Sequence, residues 1–455
     1  MPLIMKLKLS TTKVTIACLI LFSVVNLTAN AQELITLQKA IDLTLENNLT
    51  IKQAKFNEAL STEDYKQSKY NMLPSVSAGP QASVNFGRSI DPSTNQFVNQ
   101  RIVGVSGNVS AQVSLFQGGQ LRNQVIENRI LLDVDKSNTA KIKNDLILSV
   151  VTQYLSILTN QDLVTAAKQQ IDISKIALDR AQKSYDVGNQ TLADLAQAKA
   201  QQSTAELNLT NAQNQLDLSV LVLKQYMEMN PLTDIKVEKP DISKLTDVKT
   251  LYDEQSVLNT ALGINPDVLL AKTREESFAQ NIKIARGSYF PSIVLFGSAG
   301  SNFSDARTLL GGGKYPFFTQ LNDNFNQSIG LSVQIPIFNR FSARTAVRKA
   351  KINYENAKVS TQLAEDNLSK VIIQAVYDVR AANKKYQSTL QTYQANKEAF
   401  NVIEQRYNVG LVNSLDYNTS LTNLNTSEFN LIQAKYELVF RSKVIDYYLG
   451  NPITL

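Results

Sequence analysis

The chain has 455 residues, a formal net charge of +6, one cysteine, and neither histidine nor tryptophan. The lack of histidine removes the commonest general base and the commonest zinc ligand, which excludes Ser-His-Asp and Cys-His catalysis. The small net charge is spread along the chain, so the sequence gives little support to nucleic-acid binding. We therefore expect a protein that is not an enzyme, holds no cofactor or metal and does not bind nucleic acid.

The N-terminal segment, 1–31, has the pattern of a secretory signal peptide. Lysines precede the apolar run IACLILFSVV, and the small-x-small sequence Ala29-Asn30-Ala31 follows it. The run is too short to predict a membrane helix, and we place the cleavage after Ala31. Cys18 lies within the run, and lipid attachment at this cysteine is an open alternative. The mature chain then has no cysteine, which fits an exported protein whose stability does not depend on disulfides.

Two segments early in the mature chain read as β-strands. Apolar and polar residues alternate over about 75–88 and 102–116, a period of two that is typical of a strand with two different faces. A soluble sheet would place the apolar face on a core, and a membrane barrel would place it in lipid. Export of the chain, strand lengths near ~9–11 residues and aromatic residues near the strand ends favour the barrel.

Two long segments without Gly or Pro follow these strands, at residues 120–187 and 189–230. Apolar residues recur at spacings of three and four in the first segment, which predicts helical structure that spans roughly 100 Å at about 1.5 Å per residue. This length implies coiled-coil packing, a helical repeat or two helices end to end. Gly188 separates the two segments and suits the left-handed backbone of a tight turn. We predict an antiparallel helical hairpin over 117–230.

Residues 231–256 separate the two halves of the chain and break the symmetry between them. This segment contains Pro231, Pro240 and several charged residues. We predict a short helix and a loop here, around the waist of the molecule.

The second half of the chain repeats the order of elements in the first. We predict strands over about 291–303 and 326–338, followed by a second helical hairpin over 339–450. Val294 and Phe296 depart from the alternation in the third strand.

Matched landmarks locate where the two copies differ in length. Pro74 corresponds to Pro291, and Phe116 corresponds to Phe338, but the second pair lies five positions farther apart than the first. The extra positions fall in the loop between the strands, where insertions cost little. The chain is therefore a tandem duplication. Its units are a first repeat over 32–230, a linker over 231–256 and a second repeat over 257–455.

Both helical hairpins carry the same turn motif at the tip. Each copy reads Tyr-x-Val-Gly, then five residues, then Asp. The separation between the two copies in the sequence equals the separation between Phe116 and Phe338. The bland interpretation is that the glycines form the turns, the tyrosines pack, and each Asp favours the positive end of its helix dipole. The motif residues are Tyr185, Val187, Gly188 and Asp194 in the first copy and Tyr407, Val409, Gly410 and Asp416 in the second.

Four strands are too few to close a membrane barrel, since the smallest known barrels have eight. An open sheet edge in lipid would leave backbone groups unpaired, at a cost of several kcal/mol each. The barrel must therefore be shared between chains. Two copies would give eight strands with a filled interior, and three copies would give twelve strands with room for a lumen.

The order and spacing of these features resemble the TolC-like outer membrane efflux protein family. The resemblance covers nearly all of residues 33–450 and rests on TLQKAIDLTLENN, SLFQGGQLRNQV, IPIFNRFSARTAV and the two Tyr-x-Val-Gly turns. It implies a mainly α fold with membrane β-structure. Long antiparallel helical hairpins would form an α-barrel in the periplasm, and four strands per chain would enter a trimeric twelve-stranded barrel in the outer membrane.

The resemblance also implies a function and a set of partners. The homotrimer would be the exit duct of a tripartite efflux or type I secretion system, embedded in outer-membrane lipid and served by a periplasmic adaptor and an inner-membrane pump. The alternative is an adaptor-like periplasmic coiled-coil protein without a pore. The residues do not indicate whether the cargo is a drug, a metal, a dye or a polypeptide.

In this family the tip of the second hairpin closes the pore, often with acidic residues. Asp416 matches the first acid, Thr419 stands where a second acid often occurs, and Tyr407 matches a tyrosine that holds the helices together. A latch arginine is often present after the turn, where this chain has Val412. A second expected use of the tips is docking of the adaptor. The docking candidates are Tyr185, Val187, Gly188, Asp194, Val409, Gly410 and Leu411.

Overall fold

The computed structural model describes residues 33–90, 95–240, 249–309 and 311–453. The signal peptide predicted over 1–31 lies outside these residues. Most of the described chain is helical, and two helices of 67 residues each dominate it. The helices are α1 (Leu37–Asn47), α2 (Leu49–Tyr70), α3 (Gln120–Asp186), α4 (Leu192–Tyr226), α5 (Glu254–Ile264), α6 (Pro266–Gly287), α7 (Phe317–Asp323), α8 (Ser342–Asn408) and α9 (Ser414–Leu449).

The helices form two antiparallel hairpins, α3 with α4 and α8 with α9. The helix α2 packs on α3, and α6 packs on both α3 and α8, so that the two repeats lie side by side. Within the residues described, no helix combines the length and the apolar character that a membrane crossing requires.

Paired glycines set the start of the first long helix. Gly118 and Gly119 have φ values of 59° and 73°, a backbone that glycine adopts without steric cost. A Cβ on Gly118 would overlap the backbone of Gly287 at the end of α6. The strand can therefore turn into α3 while α3 and α6 approach closely.

The principal sheet has four antiparallel strands in the spatial order β2–β5–β7–β8. A bulge between Ser114 and Phe116 interrupts the pairing of β5 with β7. The remaining strands form short two-stranded pairs, β1 with β6 in parallel and β3 with β4 antiparallel. The strands are β1 (Glu33–Ile35), β2 (Ser75–Asn85), β3 (Arg88–Ile90), β4 (Phe97–Asn99), β5 (Ile102–Gln117), β6 (Ile235–Val237), β7 (Ser292–Ser304) and β8 (Asn326–Gln334).

The register gives the principal sheet one apolar face and one polar face. Val109 pairs with Ala78 on one side and Ala299 on the other. Ser110 likewise pairs with Ser77 and Ser298. None of the four strands contains a charged residue. The sheet thus has the alternation of membrane strands. Among the residues described, the outer edges of its two edge strands, β2 and β8, are unpaired.

Two predicted strand ends differ from the structure. The strand predicted over about 75–88 ends at Asn85, because Gly87, with a φ of 104°, turns the chain into the separate strand β3. The strand predicted over 326–338 ends at Gln334, two residues before Pro336. Proline has no N–H to donate to a sheet ladder, so pairing stops there.

The described part of the linker, 231–240 and 249–256, contains an element that the prediction of a short helix and a loop did not include. It contains strand β6, whose Ile235 and Val237 are buried while Lys236 is exposed, and it pairs in parallel with β1. The predicted linker also includes Glu254, which begins α5. Residues 241–248 of the linker lie outside the part of the chain that the structure describes.

The apolar core at the waist joins β1 and β6 to α1, α3, α4 and α9. Tyr154 of α3 is buried within it, and its hydroxyl donates hydrogen bonds to the carbonyl oxygens of Ile35 (3.2 Å) and Glu238 (2.7 Å). This tyrosine therefore connects the first long helix to both strands of the β1–β6 pair.

A partly buried carboxylate connects the repeats at the same level. Asp162 of α3 accepts hydrogen bonds from Lys435 (3.1 Å) and Tyr436 (3.0 Å) of α9, and from Lys239 just after β6. Burial acts against the ionised form of Asp162, but the two lysines and the tyrosine outweigh it and hold the pKa of this carboxyl below its ordinary value. The two repeats are thus joined at the waist by charged hydrogen bonds as well as by apolar packing.

Candidate functional site at the hairpin tips

The two hairpin tips have the same backbone. Gly188 and Gly410 adopt φ values of 75° and 79°, the left-handed conformation that commonly ends a helix. In both turns, the amide of the residue after the glycine donates a 2.8 Å hydrogen bond to a carbonyl five residues earlier. These bonds join Asn189 to Ser184 and Leu411 to Arg406. The return helices then begin at equivalent N-caps, Thr191 and Asn413.

Asp194 caps its own helix and also contacts the second hairpin. Its carboxylate accepts hydrogen bonds from the amide (3.0 Å) and the hydroxyl (2.7 Å) of Thr191, whose hydroxyl in turn accepts from the Asp194 amide. The other carboxylate oxygen accepts a hydrogen bond from the Ser414 hydroxyl, at the start of α9. These bonds, chiefly those from Ser414 and Thr191, lower the pKa of Asp194. Asp194 therefore contacts the second hairpin in addition to its own helix, which the helix-dipole interpretation alone does not include.

Two further polar contacts connect the tips. Gln190 donates a 2.8 Å hydrogen bond to the hydroxyl of Tyr407. Arg180 donates to the side-chain oxygen of Asn408, and its guanidinium lies 5.9 Å from the centre of the Tyr407 ring. The three hydrogen bonds between the tips, Asp194–Ser414, Gln190–Tyr407 and Arg180–Asn408, are called here the inter-tip contacts.

Behind Tyr407 the second tip has an aromatic cluster. Tyr407 stacks on Tyr417 with ring centres 4.7 Å apart, and Phe400 lies 5.5 Å from Tyr417 on its other side. Tyr417 and Leu421 are buried. Burial, with a smaller contribution from the charge of Glu404, raises the pKa of Tyr417 to about 12, so this hydroxyl stays neutral.

The first tip has a smaller apolar cluster at the same level. It consists of Ala181, Leu195 and Ala198, with Leu178 packed against them. Leu195 stands at the position in the first copy that corresponds to Tyr417 in the second.

The two remaining gate candidates lie on the surface of the second tip. Asp416 and Thr419 are both exposed and stand three residues apart, on one face of α9. The Asp416 amide donates to the Asn413 side chain at 2.8 Å. Its carboxylate makes no hydrogen bond or ion pair with the described residues, unlike the carboxylate of Asp194. The structure therefore keeps these two side chains apart from the inter-tip contacts that include Tyr407.

The candidate docking residues form an apolar end to each tip. Val187, Val409 and Leu411 are exposed by 69%, 70% and 68%. Tyr185 is also exposed, although less so, whereas its counterpart Tyr407 is partly buried in the aromatic cluster. The two tyrosines of the repeated motif thus have different surroundings.

A polar cleft of about 650 Å³ lies between the tips. Three of its residues, Arg180, Gln190 and Ser414, were not predicted from the sequence. Comparison of the two copies distinguishes these three residues, because each of them corresponds in sequence to an apolar residue of the other copy. These counterparts are Val402, Val412 and Leu192 respectively. In the ranges described, His, Cys, Asp and Glu residues form no cluster of three or more that could hold a metal ion.

Comparison with known proteins gives a consistent result. The family model described as outer membrane efflux protein matches residues 40–227 and 257–451, one segment in each repeat. The outer membrane efflux protein BepC of Brucella suis is 23% identical over 434 residues, which cover 94% of this chain and 88% of BepC.

Solved structures share the fold at low sequence identity. A crystal structure of CusC superposes with a TM-score of 0.78 at 15% identity, covering 91% of this chain and 92% of CusC. The CmeC outer membrane channel of Campylobacter jejuni superposes with a TM-score of 0.73 at 18% identity, covering 91% of this chain and 85% of CmeC.

Proposed function

Because the chain belongs to the outer membrane efflux protein family, it is an outer-membrane exit duct, and we propose that three copies assemble into one tunnel gated at its periplasmic tip. Its relatives are channel proteins rather than enzymes. The alternative of an adaptor-like protein without a pore is excluded by this membership.

The main support for the proposed trimer is the open four-stranded sheet. Since its strands alternate in direction, the edge strands β2 and β8 run antiparallel. The β8 edge of one copy can therefore pair with the β2 edge of the next, and three copies close a ring of twelve strands. Closure supplies partners to both edges, which a lipid environment requires. The apolar face then meets lipid, and the uncharged polar face lines the lumen.

The tips are the proposed gate of this tunnel. Three-fold symmetry brings three copies of the second tip together, with Asp416 facing the pore and Thr419 one turn deeper. The inter-tip contacts hold each second tip against its first tip, and Tyr407 accepts one of these hydrogen bonds. Opening requires these contacts to break as the second hairpin moves outward.

We assign adaptor docking to the apolar ends of the tips. Val187 and Gly188 in the first tip, and Val409, Gly410 and Leu411 in the second, present exposed apolar side chains and exposed glycine backbone. A periplasmic adaptor that covers this surface gains apolar burial. It can also favour the open state if it binds that state more tightly. An inner-membrane pump then supplies the energy for transport.

The assembly is tested by the protein mass of the particle extracted from outer membrane in detergent, after subtraction of bound detergent. We expect the mass of three chains. A mass of one chain, or of two, would contradict the shared twelve-stranded barrel.

The acidic ring is tested by cation block of single channels in planar bilayers. Asp416→Asn should weaken block by multivalent cations, since it removes three negative charges from one constriction. Asp186→Asn, at the exposed end of α3, is the matched control and should leave the block unchanged. Equal block in the wild type and Asp416→Asn would remove Asp416 from the pore.

A further inference from the structure

An aromatic ring interrupts the polar face of the principal sheet. In β7, Ser298 and Asn302 alternate with Ala299 and Gly297, and Phe296 falls in register with the polar set. On one side, Phe296 pairs with Gln112 of β5. The apolar residues of β7 that follow the regular pattern, such as Leu295, point to the opposite face.

The neighbouring strand leaves room for this ring. Phe296 pairs with Gly330 of β8, and a Cβ at position 330 would lie 2.5 Å from the ring carbon Cζ. Any side chain at position 330 would therefore displace the ring. The ring rests across the glycine backbone and stays 42% exposed. One side of the ring thus packs against the sheet, and the other side is exposed on the polar face.

Val294 extends the apolar surface along the strand. It lies two residues before Phe296, on the same face, and pairs with Ser114 and Ser332. Val294 and Phe296 together form a short apolar strip surrounded by neutral polar side chains. The strip lies near the end of β7 that adjoins the helices, since β7 begins at Ser292.

We infer that this strip is a contact site in the lumen for aromatic or apolar groups of the transported cargo. The inference rests on the proposed function, because it requires the polar face to line a shared barrel. Three copies then present three phenylalanine rings at one height in the tunnel. The four strands carry no charge, so the wall of the barrel does not select cargo by charge. An exposed ring instead favours partners that stack on it or place a cation over its face.

The chain offers a clean reporter for this site, because its sequence contains no tryptophan. Phe296→Trp introduces a single tryptophan on the proposed lumen face. Leu295→Trp, one residue earlier on the opposite face, is the matched control. Each purified variant is reconstituted in vesicles and quenched either by aqueous iodide or by brominated lipid.

The quenching experiment tests the orientation of the sheet. We expect iodide to quench Trp at position 296 and brominated lipid to quench Trp at position 295. The reverse pattern would overturn both the lumen assignment and the barrel on which it rests. Val294→Trp, on the same face as Phe296, serves as the second reporter if Phe296→Trp fails to assemble.

The ligand experiment tests the contact site separately. Benzyltrimethylammonium and tetramethylammonium carry the same charge, and only the first has an aromatic ring. We expect a saturable change in emission at position 296 with benzyltrimethylammonium, at a concentration about fivefold lower than tetramethylammonium needs. Gly330→Ala should reduce this preference by displacing the ring. Correct orientation with equal responses to both cations would overturn the contact site while leaving the channel intact.

Discussion

The two hairpin tips share a backbone but differ in the side chains that hold them. Each has a Tyr-x-Val-Gly turn, a glycine in the left-handed region and an Asp in the first turn of the return helix. The Asp of the first tip accepts hydrogen bonds from two residues, whereas the Asp of the second tip is exposed. The two copies therefore share a turn but differ in its side chains, in keeping with the proposal that the first tip is an anchor and the second a gate.

The side chains packed inside the two tips also differ. The first tip packs small residues around Leu195, and the second packs aromatic rings around Tyr417. Rings present flat surfaces that can stack and slide, and Tyr407 adds a hydroxyl that the first tip contacts. The asymmetry of the tips lies in these residues rather than in the fold.

The largest expected effect comes from removing the central ring of the second tip. Tyr417→Ala should lower the local stability of the tip by about 3–5 kcal/mol, because it removes a buried aromatic side chain and leaves a cavity. Hydrogen exchange of the amides at the start of α9 measures this loss. Tyr417→Leu, which copies the first tip, should cost less. Equal protection in the wild type and Tyr417→Ala would show that the cluster does not hold the tip.

A smaller loss of stability is expected from a substitution in the first tip. Asp194→Ala removes the Asp194 half of the capping box and the hydrogen bond to Ser414, for a combined loss of about 1–2 kcal/mol. Single-channel recordings should show more frequent opening. The equivalent change in the second tip, Asp416→Ala, leaves the inter-tip contacts in place and should not increase opening. Similar opening frequencies in both variants would contradict the claim that the two tips have different roles.

Acid should reproduce part of the Asp194 effect. The pKa of Asp194 is lower in the folded protein, so its contribution to stability is fully present above the ordinary aspartate pKa and is lost as the pH falls through the lowered value. Wild-type opening should therefore be flat near neutral pH and rise below about pH 4. Asp194→Asn should lose this acid-dependent rise. A rise that persists in Asp194→Asn would assign it to another group.

The smallest effect tests what the tips have in common. A Cβ added to Gly188 or Gly410 meets no neighbour within 4 Å, so each Gly→Ala change costs only the backbone strain of a positive φ, about 1 kcal/mol. The two variants should lower tip protection in hydrogen exchange by the same amount. A much larger loss at one tip would mean that the turns are not equivalent.

Much of the fold was predictable because it depends on periodic patterns. Windows without Gly or Pro predicted the long helices, and alternation of polar and apolar residues predicted the four-stranded sheet. Strand β6 was missed because three residues carry too little periodicity, and its pairing with β1 joins the linker to the start of the first repeat. Such pairing depends on tertiary packing rather than on local sequence.

The candidate site was predictable in position but not in its contacts. The repeat located both tips and drew attention to Asp194, Asp416 and Tyr407. It did not predict that Arg180 and Gln190 reach across to the second hairpin, because a repeat marks only the residues that its two copies share. Each inter-tip contact includes at least one residue that differs between the copies, Arg180, Gln190 or Ser414, and the shared motif carries no information about these residues.

The central claim is that the tunnel opens by separation of the two tips. It is tested most directly with the double variant Asp194→Cys/Ser414→Cys, in which a disulfide replaces the Asp194–Ser414 hydrogen bond. The natural Cys18 lies in the predicted signal peptide, so no competing thiol is expected in the mature chain. Single-channel conductance is recorded under oxidising conditions and then after reduction, with Asp194→Cys alone as the control.

The account predicts low conductance in the oxidised double variant and a sustained rise after reduction, with no redox response in the single variant. High conductance in the disulfide-linked protein, or equal conductance before and after reduction, would contradict opening at the hairpin tips.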